Sequence, residues 1–437
     1  MNTILFENIR LIDPANGVDQ PGRLLVHNGK IAGTDTAGAE GHPEGAQVIN
    51  GDGAVLSPGL VDMRVEIGEP GFEYRETIAS AARAASAGGI TTIAVLPTCK
   101  PAIDNPALVR MLRTRGEESG AITILPYGAL TKGCEGRELA EIGMLHEAGA
   151  VAFTDGNRAV DPARLMRLAL SYASGFGAMV VQHPEEPSLA GSGCATAGAL
   201  ATRLGLAGIP AAAESIMIAR DIRLVELTGG RLHFGHVSTG EGIELIRQAR
   251  ARGLAVTCDT APPYFDLNEN AIGDFRTFAK FSPPLRSEED RLAVCAALAD
   301  GTIDAIASDH IPRDADDKRL PFAQAATGGT GMVTLLGVTL ARVHDGTLTL
   351  PQAIALLTHR PATLLGSKAG TLSVGAEADL CLFAPEQSWL VRAGQLPGRA
   401  QNTPFDRRPL EGRVLGTWKA GRRVYEAGTS VAAEAGA

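Results

Sequence analysis

The chain has 437 residues, of which 45% are hydrophobic and 20% charged, so it can bury a large core and is not a disordered polypeptide. Its net charge of −9, the lack of a basic block and an aromatic fraction of 4% argue against a nucleic-acid partner. No apolar stretch is long enough to predict a membrane span, and the early acidic residues Glu7 and Asp13 do not fit a secretion signal.

Six cysteines are spread along the chain, and none belongs to a Cys-x-x-Cys pair. This spacing fits neither a disulfide scaffold nor a thiolate zinc site. We therefore expect a cytoplasmic protein with reduced thiols and without a membrane partner.

Both ends of the chain predict short β-strands. Residues 1–57 contain three apolar runs broken by Asn-Gly and Asp-Gly turn signals, and two similar runs lie within residues 368–427. We predict that these two segments form one small β-sandwich domain. We expect residues 428–437 to be a disordered tail.

Residues 58–367 alternate apolar, β-branched runs with Ala- and Leu-rich segments of helical spacing. The eight candidate strands are residues 60–66, 90–97, 121–127, 149–154, 178–183, 231–237, 253–258 and 302–309. This alternation predicts an α/β fold with a parallel sheet, and eight units favour a closed (β/α)8 TIM-type barrel. The alternative is a doubly wound sheet, but the segment after the first strand, residues 67–77, lacks the Gly-x-Gly-x-x-Gly pattern.

Polar side chains cluster where the predicted strands end, which is where (β/α)8 barrels place their chemistry. Asp155, His183, His236 and Asp309 follow four different strands. Imidazole and carboxylate are the ligands of catalytic zinc, which keeps one position open for water. Any one of these residues could instead cap a helix or satisfy a hydrogen bond, but four at one rim favour a metal site or the remnant of one.

Two other patterns at the same rim are weaker. Ser238 and Thr239 follow His236, but neighbouring residues do not establish a catalytic triad, and a helix N-cap is the better interpretation. Cys99 precedes Lys100 and could be a reactive thiol, although a structural cysteine is favoured.

Longer stretches of the chain resemble the dihydroorotases of the amidohydrolase superfamily. The stretches that carry the resemblance are SPGLVDMRVEIGEPGFEYRETI, SAGGITTIAVLPTCKPAID, GALTKGCEGRELAEIG, GAVAFTDG, GHVSTGEGIELIRQAR, SPPLRSEEDR, ASDHIPRDADDKRLPFAQA and GTLSVGAEADLCLF. The resemblance spans nearly the whole chain and implies a barrel hydrolase of de novo pyrimidine (UMP) biosynthesis. It also implies that Asp155, His183 and His236 match metal ligands and that Asp309 matches the catalytic aspartate.

The first strand departs from the family pattern. The two positions of its His-x-His motif hold Arg64 and Glu66, and the position of the following arginine holds Gly68. A guanidinium offers no lone pair to a metal, whereas Glu66 could still be a ligand. We expect Arg64 to lie in the barrel mouth paired with Asp309, Asp155 or both, and zinc to be bound at no more than one ion per chain, or not at all.

The residues that hold the substrate in the family have also changed. Two family asparagines are replaced by Thr98 and Ser282, and a family histidine by Arg313. These three residues are the candidate substrate contacts of this chain. Each charge-assisted hydrogen bond that is lost forfeits roughly 1.5–3 kcal/mol of binding energy.

Two functions remain open on the sequence. The first is a catalytically degenerate dihydroorotase homologue that serves as a structural partner of aspartate carbamoyltransferase. The second is an active one-metal dihydroorotase or related cyclic-amide hydrolase, in which Asp309 shuttles a proton while N-carbamoyl-L-aspartate and dihydroorotate interconvert. Only the second needs a small-molecule substrate, and in both cases we expect a homo-oligomer without a nucleic-acid partner.

Overall fold

A computed structural model describes residues 3–36 and 42–428, so the tail expected from residue 428 onward lies outside the described residues except for Gly428. The strands of the described chain are β1 Thr3–Asp13, β2 Val18–His27, β3 Lys30–Thr36, β4 Gln47–Asn50, β5 Val55–Pro58, β6 Leu60–Val65, β7 Ile90–Val95, β8 Thr123–Pro126, β9 Gly128–Ala129, β10 Phe153–Thr154, β11 Met179–Gln182, β12 Ala195–Thr196, β13 Gly208–Ile209, β14 Arg231–Phe234, β15 Val256–Thr260, β16 Ala305–Ile306, β17 Leu380–Leu390, β18 Pro409–Lys419 and β19 Arg422–Glu426.

The α-helices follow most of the strands in the middle of the chain. They are α1 Ile78–Ala87, α2 Pro106–Ser119, α3 Ile142–Glu147, α4 Ala163–Ser174, α5 Pro187–Ala190, α6 Ala199–Leu204, α7 Ala212–Thr228, α8 Gly240–Ala251, α9 Pro262–Asp266, α10 Glu288–Ala299, α11 Ala315–Arg319, α12 Leu335–His344, α13 Leu350–Leu357 and α14 His359–Leu364. Within the described ranges, no helix has both the length and the apolar composition needed to cross a bilayer.

Parallel pairing connects the strands of the middle segment. Each of the eight runs predicted between residues 58 and 309 contains or overlaps at least one strand, and the pairs β6–β7, β7–β8, β9–β10, β10–β11, β11–β14, β14–β15 and β15–β16 are all parallel. Only Tyr127 separates β8 from β9. A parallel bridge joins Val65, at the end of β6, to His310, beyond β16. The first and last strands of the series therefore meet beside Asp309.

Burial explains why these segments fold as they do. All six residues of β6 and all six of β7 are buried, as is typical of parallel strands that are covered on both faces. In α4, Met166, Ala169, Leu170 and Ala173 are the buried residues. Their spacing places them on one helical face, which packs toward the sheet and leaves the opposite face to solvent.

The two ends of the chain form a second sheet. Its strand order is β19-β18-β17-β5-β1-β2-β3, with β4 added against β1. Phe6 of β1 and Trp418 of β18 lie three strand spacings apart in this order, which is about 14 Å in a flat sheet. Their ring centroids are only 4.9 Å apart, so the sheet folds over and encloses a core of its own.

The second sheet packs tightly against the parallel strands. Thr417 Oγ1 of β18 donates to the carbonyl of Ser86 at the end of α1. Gly89, with φ +80°, leads into β7, and a Cβ there would lie 2.4 Å from Cys381 Sγ. Glycine is therefore needed at the turn where the two sheets touch.

Candidate active site

Arg64 is the central side chain at the strand ends. It belongs to β6 and is only 2% exposed. Its Nε donates to Asp309 Oδ1 at 3.0 Å, and its Nη2 donates to Asn157 Oδ1 at 2.5 Å and to the Gly156 carbonyl at 3.3 Å. The expected pairing of Arg64 with Asp309 is thus confirmed, whereas Arg64 forms no hydrogen bond or ion pair with Asp155.

The guanidinium joins the ends of several strands. Gly156 and Asn157 follow β10, Asp309 follows β16, and Gly235 follows β14. A Cβ at Gly235 would lie 2.9 Å from Arg64 Nη1, so the backbone there is close enough to confine the cation. Arg64 therefore occupies the centre of the rim where the sequence predicts a metal site.

Two histidines continue the contacts of Asp309. His236 Nδ1 lies 3.2 Å from Asp309 Oδ2, His236 Nε2 lies 2.7 Å from His183 Nδ1, and His183 Nε2 lies 3.4 Å from Ser282 Oγ. Four residues that the sequence singles out separately, Asp309, His236, His183 and Ser282, are therefore brought into one row.

The charges of this row follow from its burial. Burial lowers the pKa of His236 to about 4, with the positive charge of Arg64 acting in the same direction. Burial opposes the ionisation of Asp309, but His236 and Arg64 outweigh it and lower the pKa of that carboxyl to about 2. Near neutral pH the site therefore holds an ionised Asp309 and a neutral His236.

A neutral His236 has one N–H and one lone pair. Its position orients the N–H at Nδ1 toward the Asp309 carboxylate, so its Nε2 accepts from His183 Nδ1. His183 Nε2 faces both the Ser282 hydroxyl at 3.4 Å and the Glu185 carboxylate at 3.8 Å. Three of the four imidazole nitrogens therefore have a hydrogen-bond partner, while His236 Nδ1 lies within ion-pair distance of Asp309 without forming a hydrogen bond.

The backbone at two of these residues is strained. His236 has φ +40° and Asp309 has φ +48°, in the left-handed region that residues other than glycine rarely adopt. The His236 N–H donates to Asp259 Oδ1, and Asp259 Oδ2 lies 3.0 Å from His233 Nε2. Asp259, which no motif in the sequence marks, therefore holds the turn that aims His236 into the site.

Asp155 is engaged elsewhere. Thr131 donates to Asp155 Oδ1 through its N–H at 2.9 Å and to Oδ2 through its hydroxyl. Burial raises the pKa of Asp155, although the Thr131 hydrogen bonds oppose that shift. Thr131 is a further residue that sequence reasoning missed, because its contact depends on how the loop after β9 folds back.

Glu66 also has a partner. Its Oε2 lies 3.4 Å from Arg313 Nη2, and Arg313 Nε donates to the carbonyl of Thr327 at 2.9 Å. Glu66, considered as a metal ligand, and Arg313, considered as a substrate contact, are thus placed against each other.

The predicted zinc ligands do not fit a zinc ion in this arrangement. Among the described residues, the only group of three or more His, Cys, Asp or Glu side chains with ligand atoms within 4.8 Å of one another is the exposed set His344, Glu386 and Glu411. Three of the four imidazole nitrogens of His183 and His236 have hydrogen-bond partners. The fourth, His236 Nδ1, lies 3.2 Å from Asp309 Oδ2, and the Arg64 cation donates to the same carboxylate. Zinc binding requires free lone pairs and tolerates no cation inside the ligand shell.

The remaining substrate candidates are separated from this row or blocked. Thr98 Oγ1 is buried without a hydrogen-bond partner, and the Thr98 methyl group packs on Gly156. At Gly68 a Cβ would lie 2.0 Å from the carbonyl oxygen of Phe72. The loop after β6 is therefore folded in a way that leaves no room for a side chain at residue 68.

The weaker patterns at the rim have structural roles. Thr239 is the N-cap of α8, and its hydroxyl accepts from the Gly242 N–H. Glu214, fully buried on α7, accepts hydrogen bonds from both Ser238 and Thr239. Burial raises the pKa of Cys99 to about 12, so this thiol is not activated as a nucleophile.

Solved structures with the same architecture define the class of protein. An L-hydantoinase (dihydropyrimidinase) from Arthrobacter aurescens superposes with a TM-score of 0.86 at 26% identity, covering 99% of this chain and 98% of that one. A dihydropyrimidinase from Brevibacillus agri NCHU1002 gives a TM-score of 0.83 at 22% identity, with 98% and 96% covered, which supports the fold alone. The fold is thus the α/β fold of the hydantoinase-type amidohydrolases.

Sequence comparison narrows the class to a family. Residues 53–242 match the model of the dihydro-orotase-like family. Proteins named dihydroorotase from Pelobacter propionicus and Geobacter metallireducens are 45% and 41% identical, each over 97% of this chain and 99% of the relative. The chain therefore belongs to the dihydroorotase family.

Replacing Arg64 tests whether the ion pair holds the strand ends together. We expect Arg64→Met to lower the free energy of unfolding by about 3–5 kcal/mol, because it leaves the buried Asp309 carboxylate unpaired. Arg319→Met, which removes an exposed cation 3.1 Å from Asp316, should cost no more than about 1 kcal/mol. Urea unfolding followed by circular dichroism measures both, and adding Asp309→Asn to Arg64→Met should recover part of the loss. Equal losses in the two single variants would contradict this role.

Metal content tests the fit of zinc. We expect the protein purified without chelator to hold less than one zinc per chain by elemental analysis, because the strand-end ligands are occupied. Residual zinc should disappear in His344→Ala, which alters the exposed cluster, and should be unchanged in His183→Ala. One full equivalent that survives His344→Ala and is lost in His183→Ala would reverse the interpretation.

Proposed function

We propose that this member of the dihydroorotase family is catalytically degenerate and acts in pyrimidine biosynthesis as a structural partner of aspartate carbamoyltransferase. The observation that carries the proposal is the buried Arg64 guanidinium, whose Nε lies 3.0 Å from Asp309 Oδ1. The residue that matches the family's catalytic aspartate is neutralised by an internal cation, and that cation stands where the resemblance implies a metal.

Substrate binding is affected separately from the metal site. Arg313 faces Glu66, Ser282 faces His183 and Glu185, and Gly68 offers no side chain. A small anionic substrate would have to compete with these internal contacts for its charged partners. Catalysis depends on holding the reacting group in position, which contributes up to roughly 7–11 kcal/mol in favourable cases.

The same proposal includes the domain organisation. We take residues 58–367 as a closed (β/α)8 barrel, supported by the parallel pairs and by the bridge from Val65 to His310. Residues 1–57 and 368–427 form a β-sandwich domain, supported by the contact of Phe6 with Trp418 across the folded sheet. A cytoplasmic location is supported by the six free cysteines.

Turnover of dihydroorotate is the direct test of degeneracy. We expect no hydrolysis above the blank, with the dihydroorotase from Pelobacter propionicus as the positive control. The double variant Arg64→His plus Glu66→His should gain bound zinc without gaining turnover, because the substrate contacts stay unrestored. Robust hydrolysis by the wild type would favour an active cyclic-amide hydrolase, and turnover by the double variant alone would contradict a separate loss of substrate binding.

Association is tested with purified aspartate carbamoyltransferase. We expect the two purified proteins to elute as one complex in size-exclusion chromatography with light scattering, and the mass of each alone to report its own oligomeric state. We also expect the carbamoyltransferase to withstand a higher temperature in the mixture, since binding to the native state stabilises it. Separate elution with unchanged thermal stability would reject the partnership while leaving the degeneracy of the site unaffected.

A further inference from the structure

A cationic cavity lies beside the strand-end site. Its volume is about 510 Å³, and it is bounded by the loop after β6, by the segment around α11 and by residues 399–402. Five cations and a single carboxylate, Asp314, are among its lining residues; the cations are Arg75, Arg313, Lys318, Arg319 and Arg399. This composition is unlike that of the rest of the chain, whose net charge is negative.

The chain itself neutralises this charge only in part. Arg75 reaches Asp317 at 3.7 Å, Arg313 reaches Glu66 at 3.4 Å, and Arg319 reaches Asp316 at 3.1 Å on the exposed side. Within the described chain, Lys318 and Arg399 form no ion pair. Lys318 Nζ instead donates to the carbonyls of Thr277 at 3.1 Å and Ala326 at 2.7 Å.

Lys318 lies in the cavity wall close to other cations, and Asp317 offsets their repulsion only in part. The residue is only 4% exposed. Burial lowers the pKa of its ammonium to about 7, and the positive charges of Arg313 and Lys280 act in the same direction. A nearby anion would stabilise the charged form of Lys318 and relieve this repulsion.

We propose that this cavity binds the phosphate group of a small molecule. A phosphate monoester brings about two negative charges and three strong acceptors, which suits two unpaired cations flanked by further guanidinium groups. The rings of Tyr74 and Phe278 also line the cavity and offer surface to an organic group attached to the phosphate. The volume lies within the range of small-molecule sites.

This site is distinct from the strand-end row. Neither Arg64 nor Asp309 lines the cavity, and the two regions are connected through Arg313, which contacts Glu66 at 3.4 Å. Binding in the cavity does not depend on turnover of dihydroorotate, so either result can be obtained without the other.

Isothermal titration calorimetry of the full chain tests the ligand class. The probes are adenosine 5′-monophosphate, adenosine, inorganic phosphate and succinate. We expect adenosine 5′-monophosphate to bind and adenosine not to bind, because the phosphate supplies the recognised charge. Inorganic phosphate that binds as well as the nucleotide would support the site and show that the attached group adds little. Adenosine that binds as tightly as its monophosphate, or succinate that binds more tightly than either phosphate, would overturn the proposal.

Variants tie the binding to the cavity. We expect Arg399→Gln to weaken nucleotide binding about tenfold, since one charge-assisted hydrogen bond is lost. Lys318→Gln should weaken it similarly, and Arg203→Gln, which removes an exposed cation of α6 outside the cavity, should leave it unchanged. Thermal melts show which variants are folded. Because Arg399 is exposed, Arg399→Gln should stay folded, and its affinity for the nucleotide is the decisive measurement. Absence of nucleotide binding at millimolar concentration, or wild-type affinity in Arg399→Gln, would overturn the proposal.

Discussion

A guanidinium buried among strand ends has to be paired, and this requirement organises the rim of the protein. An unpaired ion in the interior costs several kcal/mol, so Arg64 is stable only because Asp309, Asn157 and the Gly156 carbonyl surround it. These partners follow different strands. The cation therefore connects the ends of strands that the parallel pairing brings to one side. The family resemblance implies a metal ion at this place.

The same ion pair determines what the neighbouring groups can do. With one oxygen of Asp309 held by Arg64, the other lies 3.2 Å from His236, and this histidine is in turn bonded to His183. A carboxylate paired with a buried cation is a weak base, because its neighbours favour the ionised form. The residues of the rim that the sequence singles out thus form a row of internal contacts that balances their charges.

The sequence predicts the strands and the central ion pair better than it predicts the loops. Hydrophobic runs locate the parallel strands because burial on both faces leaves a strong local signal, and Arg64 with Asp309 follows from the cost of burying a lone charge. The hydrogen bonds of Thr131 to Asp155 and the contact of Glu66 with Arg313 have no such signal. These contacts depend on loop conformations that residues far apart in the sequence determine. Hydrophobic periodicity and motif spacing do not predict such conformations.

The loop after β6 links residue 68 to the segment that carries Arg399. Gly68 has no space for a side chain, because a Cβ there would lie 2.0 Å from the Phe72 carbonyl oxygen and 2.6 Å from that of Glu76. The Phe72 N–H also donates to the Gly68 carbonyl, which holds the turn closed. The loop is held at both ends, since Glu69 accepts from the Ile78 N–H at the start of α1 and Glu76 accepts from the Arg399 N–H. An arginine at residue 68 would therefore require the whole loop to refold. Glu76 holds the segment that carries Arg399, so such a change would reach the cationic cavity as well as the site.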